Sequence, residues 1–396
     1  MRYIDVAAPL GLLWSSPFTK WQGRLGEVSS LDLAVAVTRR ALRERDVAPE
    51  ELASVVLGLT IPQEGSFFGA PTVAAQLGAS GITGAMINQA CATAVACVQS
   101  AASTVVVDGG THLIVTTDRT SNGPNIVYPA PSAAGGSPRV ENLVQQNFAL
   151  DPWAGTSMLA AGETVAAELG VSREELDDLA VLRYEQYTRA LDDNRAFQRR
   201  YMVPVELPAR RGATTVVEED EGIRPMDRDA LTKLSPAQPG GVHTGASQTH
   251  PADGTAGMVV TTTQHARDMS GGNGIVEILA SGFARVEPTH MPQAPVPAAQ
   301  VALADAGLDI GSVDAITTHN PFAVNDVYFA RAMGVPIESM NSFGSSLIWG
   351  HPQAPTGLRS LAELVTQLQL RGGGVGLFTG CAAGDTAGAL VVRVGD

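Results

Sequence analysis

Ala41-Leu-Arg-Glu-Arg-Asp-Val-Ala-Pro-Glu-Glu-Leu-Ala-Ser-Val55 recurs without gaps as Ala302-Leu-Ala-Asp-Ala-Gly-Leu-Asp-Ile-Gly-Ser-Val-Asp-Ala-Ile316. Each copy reads as a helix, a short turn and a strand. A second echo follows in the same order: Asp253-Gly-Thr-Ala-Gly-Met-Val-Val260 and Asp385-Thr-Ala-Gly-Ala-Leu-Val-Val392. Units repeated in order point to two halves of one architecture. Short β-rich runs alternate with helical patterns throughout, which indicates α/β layers. The first series of expected strands is 2–7, 54–59, 85–89, 112–117 and 257–262. The second is 275–282, 313–318, 337–340, 375–379 and 387–394. Amphipathic helices are expected over 30–45, 172–192 and 297–306, with a long helical stretch over 92–106. The helix at Ser172 opens on Ser-Arg-Glu-Glu, a capping-box pattern. Between the halves, 118–245 is rich in Pro, Gly and charge and reads as an insertion carried by the first half. The expected organisation is therefore 1–117 with 246–270, an inserted loop domain 118–245, and 271–396.

The bulk composition narrows the function. The 396 residues are 44% hydrophobic and 17% charged, an ordered globular balance. The net charge of −14 argues against a nucleic-acid groove or an anionic membrane surface as partner. Lysine occurs only as Lys20 and Lys233, so arginine must supply any contact to an anionic ligand. Three cysteines are too few for a disulfide framework. No apolar run is expected to span a bilayer, and Met1-Arg-Tyr-Ile-Asp-Val reads as a first strand rather than a leader. The expected location is cytoplasmic.

Four motifs carry chemistry. In Asn88-Gln-Ala-Cys91-Ala-Thr-Ala-Val, a thiol sits where an apolar run turns into a helix, a place where the helix dipole favours a thiolate. His319-Asn-Pro-Phe322 follows the strand 313–318. Gly350-His351-Pro352 follows the run Asn341-Ser-Phe-Gly-Ser-Ser. Thr379-Gly-Cys381-Ala-Ala-Gly follows the strand residues 375–378. Strand ends are where open α/β sheets place their sites. Two thiols and two imidazoles there suit acyl transfer, with a base activating one thiol and the other moving a proton at carbon. Cys97 reads as core. His112, His243, His250, His265 and His290 lack metal-ligand spacing, so no metal site is expected. No Gly-x-Gly-x-x-Gly unit or phosphate-binding loop is present.

These motifs, in this order, resemble the thiolases, the acyl-CoA:acetyl-CoA acyltransferases. Ser16-Pro-Phe-Thr-Lys-Trp, Thr117-Asp-Arg-Thr-Ser-Asn and Ser172-Arg-Glu-Glu-Leu-Asp-Asp-Leu-Ala add to the likeness, which runs over nearly the whole chain. The resemblance implies an α/β thiolase fold, two βαβαβαββ halves forming a five-layered αβαβα core. It implies thiolytic cleavage of a 3-oxoacyl-CoA, or the reverse condensation with acetyl-CoA. Cys91 would carry the acyl group, His351 would activate it, Cys381 would be the acid/base, and His319 would help fix the thioester oxygen. Backbone N–H groups at Cys91 and near Ala383 would form an oxyanion hole. Arg224, Thr249, Met158 and Phe322 would contact coenzyme A or the acyl group, and His250 lies near that loop. Coenzyme A would be a substrate, with no permanently bound cofactor, and the chain would form a homodimer or tetramer. The His319 block is similar to that of sterol-carrier and steroid-side-chain thiolases. Other departures are Thr93-Ala94 for Ser-Gly, Cys381-Ala-Ala for Cys-x-Gly, and Gln353-Ala-Pro-Thr-Gly for Ile-Gly-Ala-Ser-Gly after Gly-His-Pro. Two alternatives remain open at this point. One is a thiolase-like subunit that works only with a small accessory protein. The other is a decarboxylating condensing enzyme, against which Cys381 speaks.

Overall fold

The computed structural model describes residues 1–208 and 214–396. The first half runs β1 (Ala7–Pro9), β2 (Leu13–Ser15), α1 (Ser30–Glu44), β3 (Ser54–Gly58), β4 (Thr83–Ile87), α2 (Thr93–Asp108) and β5 (His112–Arg119). After β5 the chain carries α3 (Met158–Leu169), α4 (Arg173–Ala190) and two short antiparallel strand pairs. The half then closes with β6 (Ala252–Val260). The second half runs β7 (Ile275–Arg285), α5 (Pro295–Ala306), β8 (Ala315–His319), α6 (Ala323–Met333), α7 (Thr356–Leu370), β9 (Gly374–Ala382) and β10 (Thr386–Gly395).

The two sheets repeat one topology. The first has the order β2-β6-β5-β3-β4, and the second β1-β7-β10-β9-β8. In each, the strand pairs are antiparallel, antiparallel and then parallel on moving inward from β2 or β7. β4 extends the first sheet as a further parallel strand. Its counterpart, expected as a strand over 337–340, is a 3-10 turn at Ile337–Ser339 with one bridge between Ile316 and Met340. Pro336 ahead of it removes a ladder donor, and Ile337 through Ser339 are not buried. The expected strand over 2–7 is also displaced. Its ladder is Ala7–Pro9, and it joins the second half's sheet by pairing with β7.

Side-chain alternation sorts the strands into layers. Val55 and Leu57 face outward onto α1 residues such as Leu33, Val37 and Leu42. Val56 faces inward, into a core built from α2, α7 and both sheets. Leu377 and Val391 face outward onto Ala299, Ala302 and Leu303 of α5, whereas Phe378 and Val392 face inward. The result is the five-layered αβαβα core. The stretch Ala90–Asp108 is long and apolar enough on composition alone to cross a membrane, contrary to the sequence expectation. Here it is a central helix whose first two turns and one face (Thr93–Val98, Ala101, Ala102 and Val105) are buried in the core between the sheets, while Val106 and Val107 at its end are exposed. At Ser172 only half of the expected box forms. The Ser172 hydroxyl accepts the Glu175 N–H, while the Glu175 carboxylate pairs with Arg331.

Candidate active site

The turn between β4 and α2 places the first thiol. Ala90 adopts φ 45°, a left-handed conformation unusual for a residue with a side chain. Three hydrogen bonds enforce it. The Asn88 side-chain oxygen accepts the Ala90 N–H at 3.0 Å. The Thr93 hydroxyl accepts the Gln89 N–H at 2.8 Å and donates to the Ala90 carbonyl at 2.6 Å. Cys91 projects from this turn onto a cavity wall.

The second inner helix delivers the base. His351 lies in the long connection ahead of α7. Its Nδ1 is 2.6 Å from the Thr356 hydroxyl, and its Nε2 is 3.1 Å from Cys91 Sγ. With its proton on Nδ1, donated to Thr356, the ring turns its Nε2 lone pair to the thiol. The two helix starts meet closely because residue 357 is glycine. A Cβ there would stand 2.7 Å from the Cβ of Ala94.

Cys381, near the end of β9, is fully buried, and its Sγ accepts an N–H from Asn325 at 3.2 Å. His319 ends β8. Its Nδ1 is 2.7 Å from the Ser346 hydroxyl, and its buried Nε2 has no hydrogen-bond partner among the described residues. The His319 and His351 rings lie 4.1 Å apart, tilted by 31°. Cys91, His319 and His351 present ligand-type atoms within 4.8 Å of one another. Ring planes so nearly parallel do not meet within metal–nitrogen bonding distance, so their in-plane lone pairs do not converge on one ion.

Burial sets the resting charge state. It pushes the Cys91 thiol up to about 12, against the N–H groups of Ala383 and of Cys91 itself, which are aimed at the sulfur. It pushes His351 down to about 3. The pair therefore rests as a neutral thiol and a neutral imidazole. The thiolate expected from a helix N-terminus is overridden by desolvation, and Cys91 lies two residues before α2 begins. Burial also raises Cys381, with Cys91 adding to the effect, and lowers His319, with His351 adding.

The cavity holds about 720 Å³. Cys91, His351, Ala383, Thr249, Met158 and Phe322 all line it, with Ile61, Leu143, Val144, Phe148, Trp153 and Leu159 making the wall largely apolar. The Thr249 hydroxyl donates to the Ser346 carbonyl. Cys381 and His319 lie behind the wall rather than on it. Arg224 is exposed and does not line the cavity, but its charge reaches His250, whose pKa burial and Arg224 both lower. Three residues at the site were not foreseen: Asn325, Gln353 and Asp118. Gln353 lines the cavity beside Cys91. The Asp118 carboxylate accepts N–H bonds from Thr60 at 2.9 Å, Ile61 at 2.8 Å and Ala354 at 2.9 Å, and the Thr60 hydroxyl bond at 2.7 Å. It thereby ties the loop after β3 to the loop after His351. A polar residue directly after His351-Pro352 was the one available signal for Gln353.

The family model described as "Thiolase, N-terminal domain" matches residues 14–264, and "Thiolase, C-terminal domain" matches 273–394. This chain belongs to the thiolase family. Acetyl-CoA acetyltransferase 2 of Arabidopsis thaliana is 30% identical over 398 residues, covering 95% of each chain. Two solved thiolase-family structures share the fold. The Bacillus anthracis acetyl-CoA acetyltransferase superposes with a TM-score of 0.90 at 24% identity, over 99% of both chains. Human mitochondrial 3-ketoacyl-CoA thiolase in complex with CoA gives a TM-score of 0.90 at 22% identity, over the whole of both chains.

Proposed function

We propose that this thiolase-family chain is an acyltransferase that cleaves a 3-oxoacyl-CoA with coenzyme A through a Cys91 thioester, or runs the reverse condensation with acetyl-CoA. The observation that carries the reading is the 3.1 Å contact between Cys91 Sγ and His351 Nε2, made by residues 260 positions apart on a cavity wall.

The chemistry follows from the geometry. His351 Nε2 takes the Sγ proton as the sulfur attacks the 3-oxo carbon. The N–H groups of Cys91 and Ala383 point into this corner and suit an oxygen that gains charge. Breaking the C2–C3 bond leaves the electron pair on C2 as an enolate, and the Cys381 S–H supplies the proton that completes acetyl-CoA. Asn325 N–H then holds the Cys381 thiolate. A second coenzyme A loses its thiol proton to Cys381, attacks the Cys91 thioester, and leaves with the acyl group as Cys91 recovers its proton from His351. His319 steadies the thioester oxygen, directly or through water. Arg224, exposed and close enough to His250 for its charge to be felt there, is the cation assigned to the anionic end of coenzyme A.

The apolar wall and the His319 block favour an acyl group longer or bulkier than acetoacetyl, as in sterol-type thiolases. Turnover of a 3-oxoacyl-CoA panel of graded length and branching tests this, and much faster thiolysis of acetoacetyl-CoA than of any longer member defeats it. The chain pairs as a homodimer through β4. Its sheet edge lacks a neighbour among the described residues, and Met86, Phe67 and Phe68 beside it are 41%, 86% and 67% exposed.

A further inference from the structure

Gln353 is held in a conformation that it does not prefer, at the atom where the reaction starts. Its φ is +70°, in the left-handed region. The bonds around it leave no choice. The Ala354 N–H is fixed by Asp118 at 2.9 Å, and the Gln353 carbonyl accepts the Thr356 N–H at 3.2 Å. Backbone strain that the surroundings enforce concentrates at working sites. The residue is 7% exposed, and its Oε1 lies 3.3 Å from Cys91 Sγ. The sulfur has one proton and two acceptors for it, Gln353 Oε1 and His351 Nε2.

We propose that Gln353 is a further catalytic residue. Its side-chain oxygen accepts the Cys91 Sγ–H at rest and the His351 Nε2–H once that proton has moved. No covalent bond changes at Gln353; one proton passes from sulfur to nitrogen, and the amide oxygen follows it. The need is plain in so dry a site. Burial opposes both the thiolate and the imidazolium, and the Gln353 oxygen favours the protonated imidazole without adding a charge. A glutamate there would add a buried charge, and an aliphatic side chain would supply no acceptor. The titratable groups around Cys91 are His351, Cys381 and Asp118, with His319 stacked behind His351.

The inference rests on the thioester reading above, and its test separates the two. Full-length Q353L keeps the bulk and loses the acceptor; Q353G loses the acceptor and relieves the left-handed strain. Three quantities are read on each: single-turnover acylation of Cys91 by acetyl-CoA, the pH profile of Cys91 carbamidomethylation by iodoacetamide, and the melting temperature. The expected result is acylation slowed roughly 10- to 100-fold in both variants, with alkylation displaced to higher pH and Q353G melting no lower than the parent. Parent-like acylation in either variant overturns the proposal. So does a loss that tracks melting temperature alone. A parent that alkylates but does not acylate defeats the thioester reading, while the alkylation profiles still decide the role of Gln353.

Discussion

The two halves share a strand order and differ in how each reaches its inner helix. In the first, β4 runs as a full parallel strand and a tight turn leads straight into α2. In the second, the matching strand has shrunk to the Ile316–Met340 bridge, and a long connection wanders through Ser346–Trp349 before α7. What survives in both is the helix start. α2 begins at Thr93 and α7 at Thr356, and both hydroxyls are engaged in holding the adjoining reactive segment. The repeated topology thus provides two equivalent corners, packed together by Ala94 against Gly357. One corner came to present a sulfur and the other an imidazole. The framework kept its ends and let its connections diverge, because the ends are where function needs sub-ångström placement.

The sharpest break of this comparison is to remove each half's thiol in turn. Cys91→Ala should abolish acylation and thiolysis together. Cys381→Ala should cut thiolysis about 100- to 10,000-fold yet leave Cys91 acylation measurable by intact mass, and retained thiolysis sinks its assigned role. A second experiment exchanges the contact between the helix starts. Gly357→Ala should destabilise the fold by about 1–3 kcal/mol and weaken turnover by prising the His351 corner from Cys91. Adding Ala94→Gly should restore both, and denaturant melts with kcat read the cycle. A strictly additive cycle means the contact does not couple the corners. The threonines come next. Thr356→Val should lower kcat roughly 10-fold through a misplaced imidazole proton. Thr93→Val should act mainly on stability, by about 1–3 kcal/mol, since its hydroxyl restrains the backbone; the reverse pattern contradicts their assignment.

The smallest effect concerns Asp118, which bridges the halves. Burial pushes its carboxyl from 3.8 up to about 7, against the hydrogen bonds that pull it down. Between those values the folded protein keeps a proton that the unfolded chain has released. Its contribution to stability is therefore complete below about pH 4 and declines as pH rises to about 7. Urea midpoints of the parent and Asp118→Asn across that range should differ by an amount that changes in this direction; a constant gap contradicts the shifted pKa.

Much of this was legible in residues. The gapless echo from Ala41 and Ala302 announced paired helix–turn–strand units, and alternation such as Val55-Val56-Leu57 carried the layers. Cys91, His319, His351 and Cys381 stood in short motifs at strand ends, and the fold gathered them. The strand expected over 337–340 failed because an apolar run cannot reveal that Pro336 and exposure will stop its ladder. The resting charges were illegible for a related reason. A helix start beside Cys91 is a local fact, whereas the desolvation that outweighs it comes from residues hundreds of positions away. Gln353 was hidden similarly, since its reach to the sulfur depends on a left-handed turn imposed by Asp118 from the other half.

The pairing of β1 with β7 also bears on how the protein is made. During synthesis the first strand emerges long before the segment 275–277 that it will join. Most of the first half can assemble while that strand waits, but the second sheet gains its edge only when segment 275–277 meets Ala7–Pro9. The two halves are therefore not separable pieces. Cutting the gene between them would leave the three-residue strand Ala7–Pro9 on the wrong fragment, and the fragments would have to exchange that strand to recover the fold.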